Sequence, residues 1–382
     1  MAREMTQELA ARLWLNYATE YQSRAFRKIE THFGSLVSAK AAFEEGAPAF
    51  AALPDYICAR LTEANQAGFV ERFIERLEKK QIHITFPGDE RYPKLLAEIS
   101  DPPSVLYYKG TIEPDPELSI AVIGSRHPTK YGIEIAKRFG HDLASAGALV
   151  VSGLAEGIDA CAARGALEAS RAVCPTLAVL GCGVDVVYPL TNEKLYGEII
   201  ERGAVVSEFL PGSEPLRKHF PIRNRVMSGL AHGTLVIEAA ERSGTSITAG
   251  YAHDQGRDVF AVPGRIGDEM SAGPNGMISR GEAKPVFSPE DILSEYACLH
   301  VPAETRPAAN IVLLSSLGED ERAICRLLKS GEMSFDELCD SLALPIGSMN
   351  ATLTQLQFSG ILHALPGRRY AIDTDRTRLK DI

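Results

Sequence analysis

The sequence lacks the closely spaced residue patterns that hold metal ions. Its seven cysteines include no Cys-x-x-Cys pair, and its nine histidines form no His-Glu-x-x-His motif. Because zinc sites in proteins need several such ligands near one another, we expect no metal site. An odd number of scattered cysteines also indicates reduced thiols, as in a cytoplasmic protein, and not a framework of disulfides.

Long apolar runs are also absent. No stretch approaches the ~18–20 apolar residues that a bilayer-spanning helix needs. The amphipathic segment 1–17 lacks the continuous apolar core of a secretory signal. We therefore expect a cytoplasmic protein without membrane contact. A hydrophobic content of 45% and a charged content of 24% are typical of soluble globular proteins.

Signatures of enzymes and of dinucleotide binding are missing as well. No Gly-x-Gly-x-x-Gly motif follows a predicted strand, so no dinucleotide cofactor is expected. No Gly-x-Ser-x-Gly elbow occurs that would give a nucleophile to the acidic residues at strand ends. Those residues are Glu156, Asp159, Glu208 and Glu238. We expect them to cap helices or pair with arginines, and we predict no catalytic residue, no cofactor and no enzyme activity.

The order of predicted elements divides the 382 residues into five segments. Residues 1–80 predict a small helical domain of the SAM or helix-hairpin type, and residues 81–114 connect it to a sheet. Between residues 115 and 298, short apolar runs alternate with helical segments. This alternation is typical of a Rossmann-like, doubly wound, mostly parallel sheet. A linker at 299–310 precedes three helices and a hairpin at 311–375, the order of a winged helix.

The most informative segment is 217–225, which holds four basic residues in a chain of formal net charge −10. A basic cluster on an acidic chain is typical of phosphate binding. Pro221 can lie in the first turn of a helix, which would place Arg223 and Arg225 near backbone N–H groups that favour anions. The alternative is that these arginines pair with carboxylates on a solvated face.

Other loops that follow predicted strands are rich in glycine and hydroxyl groups. They contribute Gly124, Ser125, Arg126 and Lys130 after the first strand, Gly153 after the second, and Gly244, Thr245 and Ser246 after the fifth. Because the carboxyl ends of parallel strands meet at one edge of a sheet, we expect a phosphate-binding pocket there. Tight strand–helix turns and helix caps explain the same residues without a ligand.

Three aromatic or imidazole side chains lie beside the basic residues. Phe220, His219 and His127 can offer faces on which bases stack, although burial of Phe220 in the core is an alternative. The candidate recognition helix of the winged helix, 348–358, contains no lysine or arginine. We therefore expect this domain to contact protein, while Arg368 and Arg369 of the wing leave DNA contact open.

These motifs together resemble the DprA (Smf) family of bacterial DNA-processing proteins. The resemblance rests on Gly124-Ser-Arg126, segment 152–159, Tyr188-Pro189 with Asn192, Phe220-Pro-x-Arg-Asn-Arg225, Ser243-Gly244 with Thr248-Ala249, Val262-Pro-Gly264, and Asn275. Two positions depart from the family pattern. Ser246 stands where a hydrophobic residue is common, and Glu282 follows Gly281 where alanine is usual.

The resemblance implies a homodimeric protein that binds single-stranded DNA. It implies protection of incoming strands and loading of the RecA recombinase during natural transformation or homologous recombination. Carried over residue by residue, the DNA contacts would be Arg126, Lys218, Arg223, Asn224, Arg225 and the loop 244–246. An enzyme remains the alternative, because Glu238 with Ser243-Gly-Thr245 partly resembles the LOG-type phosphoribohydrolases, although their Pro-Gly-Gly start is missing.

Overall fold

The computed structural model describes residues 6–169, 174–297, 310–313, 317–329, 331–342, 344–359, 361–365, 368–372 and 377–380. The chain forms two compact units, residues 1–301 and 302–382. No helix in the described ranges is both long and apolar enough to cross a membrane. The expected linker at 299–310 lies, apart from its last residue, outside the described residues.

The first unit begins with a group of short helices around a buried tryptophan. They are α1 (Gln7–Thr19), α2 (Ser23–Phe33), α3 (Leu36–Glu44), a 3-10 helix (Pro48–Ala52), α4 (Asp55–Ala64) and α5 (Phe69–Lys79). Trp14 is fully buried, and its Nε1 donates to the carbonyl of Leu61 at 3.1 Å. These helices pack directly on the sheet. Tyr107, a residue of the second strand, lies in their core, and its hydroxyl donates to Asn16 Oδ1 at 2.6 Å.

Nine strands of the described chain form one sheet. They are β1 (His83–Thr85), β2 (Leu106–Gly110), β3 (Ser119–Ile123), β4 (Leu149–Ser152), β5 (Thr176–Val179), β6 (Ala204–Ser207), β7 (Gly233–Val236), β8 (Asp258–Ala261) and β9 (Lys284–Pro285). Their order is β1-β2-β6-β5-β4-β3-β7-β8-β9. Strands β3 to β9 are parallel, while β2 runs antiparallel to both β1 and β6. The predicted Rossmann-like, mostly parallel sheet is confirmed.

Helices cover both faces of this sheet. They are α6 (Lys94–Ala97), α7 (Lys130–Ser145), α8 (Ile158–Glu168), α9 (Glu193–Arg202), α10 (His219–Gly229), α11 (Gly244–Asp254), α12 (Glu269–Ser279) and α13 (Pro289–Glu295). Alternate residues of each strand face opposite sides. Thus Ile120 and Val122 of β3 pack with α7 and α8, while Ala121 and Ile123 lie in the core that contains α10 and α11.

The strand order reverses between β3 and β7, which is the arrangement that opens a crevice at a doubly wound sheet. The chain moves outward from β3 through β4 and β5 to β6, then returns to the other side of β3 with β7. The loops after β3 and β7 therefore leave the sheet in opposite directions. The residues following these two strands are where a ligand is expected to bind.

The second unit is a winged helix, as predicted. Its described elements are β10 (Asn310–Leu313), α14 (Glu319–Leu328), β11 (Met333–Ser334), α15 (Phe335–Leu342), α16 (Ile346–Phe358), β12 (Leu362–Leu365), β13 (Arg369–Ile372) and β14 (Thr377–Lys380). Strands β11, β13 and β12 form an antiparallel sheet, and β10 pairs in parallel with β14. Ile324, Leu338 and Leu353 form its buried centre. The expected turn at 366–367 lies outside the described residues.

Candidate nucleic-acid interface

A cleft of about 320 Å³ lies at the carboxyl ends of β3 and β7. A narrower extension of about 40 Å³ continues toward the loop after β5. Arg126, Phe220 and Arg223 line both parts. Of the predicted contact residues, the structure places nine along the cleft or its extension: Gly124, Ser125, Arg126, Gly153, Phe220, Arg223, Asn224, Gly244 and Thr245. Lys130, Lys218, Arg225 and Ser246 do not line it within the described chain.

The loop after β3 is held in place by backbone hydrogen bonds to its two neighbours. The Ser125 amide donates to the carbonyl of Glu238 at 2.6 Å, and the Ile158 amide donates to the carbonyl of Ser125 at 3.1 Å. Gly124 has no room for a side chain, since a Cβ there would lie 2.6 Å from Ile158 Cγ1. The loop thereby presents Arg126 to solvent above the cleft, with its Cζ 5.5 Å from the Phe220 ring centroid.

Helix α10 carries the basic cluster to this edge. It begins at His219, with Pro221 in its first turn as expected. His219 is buried and stacks on Phe209 at 4.1 Å between ring centroids, so it offers no face to a base. Phe220 is half-buried, and its ring centroid lies 5.6 Å from that of Tyr188 at the extension. Lys218 precedes the helix and is exposed, with its Nζ 5.8 Å from the Tyr21 ring centroid.

Arg223 forms part of the floor of the cleft. Its side chain is buried, and its Nη1 donates to the carbonyl of Val179 at 2.8 Å. Its Nε has no hydrogen-bond partner in the part of the chain that the structure describes. A Cβ on Gly153 would lie 1.7 Å from Arg223 Nη1, so glycine at this position makes room for the guanidinium.

Asp159 supplies the negative charge beside Arg223. Its carboxylate is buried and accepts a hydrogen bond from the Gly153 amide at 2.9 Å. Burial raises the pKa of Asp159 and lowers the pKa of Arg223, and the opposite charge of each partner counteracts its shift. The Gly153 amide is thus occupied by Asp159, and this glycine provides space for Arg223 instead of a donor for an anion.

Arg225 is directed away from the cleft, although it lies only two positions from Arg223. It is 7% exposed, its Nη2 donates to the Glu208 carboxylate, and its Nη1 donates to the carbonyl of Asp101 at 2.6 Å. Burial raises the pKa of the Glu208 carboxyl, and the neighbouring guanidinium opposes that rise. The expected alternative of carboxylate pairing therefore describes Arg225, but the pair is buried and not on a solvated face.

The loop after β7 brings a helix N-terminus to the cleft. Helix α11 begins at Gly244, and Thr245 is buried in its first turn. Ser246 turns back, and its hydroxyl donates to the carbonyl of Ser243 at 2.7 Å. Ser243 lines the cleft with a buried hydroxyl that has no partner among the described residues. Its place just before a helix was the sequence signal for such a role.

Glu238, the acidic residue of the enzyme alternative, caps helix α7. Its Oε2 accepts from the Thr129 amide at 2.8 Å, and its Oε1 accepts from the Thr129 hydroxyl at 2.6 Å. The residue is buried, so both oxygens serve the helix start that precedes Lys130. This confirms the expected capping role and argues against Glu238 as a general base. The described residues also hold no cluster of metal-ligating side chains.

Five exposed cationic residues lie on the segments that follow β3, β6 and β7, around the cleft lining, and we call them the rim. They form no ion pairs within the described chain. Arg126, Lys130, Arg217, Lys218 and Arg242 are exposed, and no carboxylate lies within pairing distance of them there. The wing arginines of the second unit differ. Arg369 pairs with Glu332 at 3.3 Å, and Arg368 Cζ lies 4.6 Å from the centroid of the Phe335 ring. Both wing residues thus have contacts within their own domain.

Comparisons with known proteins cover both units. The chain matches the family model described as DNA recombination-mediator protein A over residues 83–297, and the DprA winged helix domain over residues 306–368. It is 41% identical to the DNA processing protein DprA of Streptococcus pneumoniae over 238 residues, covering 61% of this chain and 83% of that protein.

Two solved structures are similar as well. The structure of DprA from Streptococcus pneumoniae matches with a TM-score of 0.63 and 32% identity, covering 77% of this chain and 99% of that one. A structure of DNA processing protein A from Helicobacter pylori, described as giving insight into its single-stranded DNA binding mode, matches with a TM-score of 0.51 and 28% identity. It covers 57% of this chain and 96% of that one.

Proposed function

Because the chain belongs to the DprA (Smf) family, we propose that it binds single-stranded DNA in the cleft at the β3–β7 edge. The observation that carries this proposal is the placement of Arg126 above the buried Arg223 at the reversal of strand order. Arg126 is exposed and forms no ion pair with the residues that the structure describes. The single-stranded DNA binding described for the Helicobacter pylori relative supports the same assignment.

The rim is suited to the backbone of a DNA strand. Arg126 projects into solvent, and Lys218 and Arg217 extend the positive charge past the start of α10. A phosphate beside the loop after β7 would meet the N-terminus of α11, where backbone N–H groups and the helix dipole favour an anion. Such contacts are made with the backbone alone, so binding would depend little on base sequence.

The middle of the cleft is suited to a base. Phe220 lines both the main cleft and its extension, and the Arg126 guanidinium lies near its ring. Stacking of a base on such an aromatic face is tolerant of sequence, because every base has a π-face. Asn224 lines the same cleft and offers an amide that can reach a phosphate or a base edge.

The proposal assigns different parts to the buried arginines. Arg223 lines the cleft and adds positive charge beneath a bound strand, while Asp159 keeps that charge compatible with burial. Arg225 holds α10 in place through Glu208 and Asp101 and does not touch DNA. We propose further that the protein acts as a homodimer in the cytoplasm. In that role it would protect incoming single strands and deliver them to RecA in transformation and recombination.

A binding titration tests the DNA proposal. We expect a fluorescent oligothymidylate to bind more tightly than duplex of equal length, with an affinity that falls as salt is added because counterions are released from phosphates. Arg126→Glu should weaken binding by roughly tenfold or more. Arg91→Glu, an exposed charge reversal outside the cleft, is the matched control. Equal affinity of the Arg126 variant and the control would refute the proposed site.

A further inference from the structure

The N-terminal helices carry a groove that the DNA proposal does not use. It lies between α2, the 3-10 helix Pro48–Ala52 and the start of α4, and its volume is about 970 Å³, larger than that of the cleft. Ile29, Phe50 and Ile57 form its buried floor. Exposed apolar grooves of this size on a soluble protein mark sites where another molecule binds.

One wall of the groove is cationic. Arg24, Arg27 and Lys28 line it from helix α2, and no aspartate or glutamate is found among its described lining residues. The Arg24 side chain is 85% exposed and Lys28 is exposed without an ion pair in the described chain. Arg24 and Arg27 both face one carboxylate, Asp101, at 3.7 Å and 2.7 Å.

That single carboxylate does not neutralise the wall. Asp101 also lies 3.9 Å from Arg225, so three guanidinium groups face it. Arg225 is itself paired with Glu208. Within the described chain, Arg24, Arg27 and Lys28 of α2 therefore bring three positive charges to the groove against this one carboxylate. A local excess of positive charge beside an apolar floor, on a chain of net charge −10, is complementary to a ligand that is both acidic and apolar.

We propose that this groove binds an acidic, amphipathic segment of a partner protein. Apolar side chains of the segment would occupy the floor, and its carboxylates would face Arg24 and Lys28. This is the helix-in-groove mode of peptide recognition, in which apolar anchors recur at i, i+3, i+4 and i+7. The inference concerns a second surface and does not depend on DNA binding at the cleft.

The shape of the floor favours a peptide over a nucleic acid strand. The rings of Phe33 and Phe50 stack on each other, with centroids 5.0 Å apart and planes 9° apart, so these faces are used within the protein. The rest of the floor is aliphatic and includes Leu53 and Pro54. Bases need free aromatic faces and polar partners for their edges, whereas leucine or phenylalanine side chains need neither.

A set of three designed peptides tests the proposal. The probe is a labelled peptide of about 16 residues, long enough for four helical turns, with leucines at i, i+3, i+4 and i+7 and glutamates on its flanks. The first comparison peptide has the same composition with its leucines at scrambled positions. The second keeps the leucine spacing but has lysine in place of every glutamate. We expect the full-length protein to bind the acidic amphipathic peptide at least tenfold more tightly than either comparison peptide, as measured by fluorescence anisotropy.

Surface variants locate the binding site. The double variant Arg24→Glu/Lys28→Glu should weaken peptide binding by about tenfold, because two attractive charges become repulsive. Ala52→Gln should also weaken it by placing bulk at an exposed position of the groove. Lys79→Glu, an exposed reversal on α5 outside the groove, is the matched control and should bind as the unmodified protein does.

The same titrations reveal other occupants. Binding of the acidic peptide no tighter than the scrambled peptide would overturn the proposal. Displacement of the peptide by single-stranded DNA in the Arg126→Glu protein would show a nucleic-acid surface instead. Self-association that disappears in the double variant, measured by analytical ultracentrifugation, would show that the groove receives a second copy of this chain. Each of the last two outcomes also contradicts a peptide site.

Discussion

The floor and the rim of the cleft hold their positive charges in opposite ways. On the floor, Arg223 is buried, hydrogen-bonded to Val179 and placed beside Asp159. On the rim, Arg126 is exposed and has no ion pair in the described chain. The contrast teaches that a basic motif can combine two functions. Buried members fix the geometry of the site, and exposed members remain free to bind a phosphate.

Substitution of a buried arginine should lower the stability of the fold, and Arg225 should show the largest effect. Arg225→Met leaves the Glu208 carboxylate buried without its partner, so we expect a loss of about 3–5 kcal/mol in the free energy of unfolding. Arg217→Met, at an exposed position, should change it by less than about 0.5 kcal/mol. Urea denaturation measures both. A fully stable Arg225→Met protein that no longer binds DNA would instead make Arg225 a direct contact.

A second variant separates a broken pair from a lost charge. In Arg225→Met/Glu208→Leu, both buried charges are replaced by apolar groups. We expect this protein to recover most of the stability that the single variant loses, because an apolar replacement of a buried ion pair is often neutral. No recovery would mean that packing at Arg225, and not its charge partner, sets the stability.

Gly153 and Gly244 differ in the room that each has for a side chain. Gly153→Ala drives a methyl group into the Arg223 guanidinium, so we expect a loss of about 1–3 kcal/mol and weaker DNA binding. Gly244→Ala faces open space at the first residue of α11 and should leave stability unchanged or raise it by about 0.5 kcal/mol. Thermal unfolding compares the two. Equal behaviour of both variants would contradict the assigned role of Gly153.

Removal of the aromatic ring in the middle of the cleft should affect DNA binding more than folding. Phe220→Leu keeps an apolar side chain but removes the stacking face, and we expect affinity for an oligonucleotide to fall by about fivefold to tenfold. Its midpoint of urea unfolding should shift only slightly, since Phe220 is half-buried. A large drop in stability with unchanged affinity would place Phe220 in the core and not in the DNA site.

The smallest effect is expected in the second unit. Arg369 is paired with Glu332, and Arg368 lies near the Phe335 ring. The double variant Arg368→Ala/Arg369→Ala should therefore change single-stranded DNA affinity by less than about twofold, because both side chains already have contacts within their own domain. A tenfold loss in the same titration would restore the winged helix as a DNA-binding domain.

The strands of the parallel sheet could be predicted from the sequence because each one is a short apolar run that is visible locally. The short apolar runs predicted between residues 115 and 298 became β3 to β8, and Pro221 lies in the first turn of α10 as expected. Strand β2 escaped prediction because it follows a proline-rich segment without regular alternation. Its antiparallel pairing with β6 depends on contacts that are distant in sequence.

The sequence spacing could not predict which of the two arginines faces the cleft. Residues two positions apart on a helix point to nearly opposite sides, so Arg223 and Arg225 cannot share one ligand unless the chain leaves the helix. The rotation of α10 is set by the packing of Val226 and Met227 against the sheet, which a motif does not encode. The role of Gly153 likewise depends on an arginine from a separate helix.

Asp101 has a consequence for how this protein can be divided or recombined. It accepts hydrogen bonds from Ser23 and Arg27 of α2, both at 2.7 Å, while its carbonyl accepts from Arg225 of α10. A shortened protein that lacks the N-terminal helices would lose the donors Ser23 and Arg27. It would also lose Asn16, the acceptor of the Tyr107 hydroxyl. The helices are therefore not an interchangeable module, and any domain exchanged for them would have to supply equivalent donors of its own.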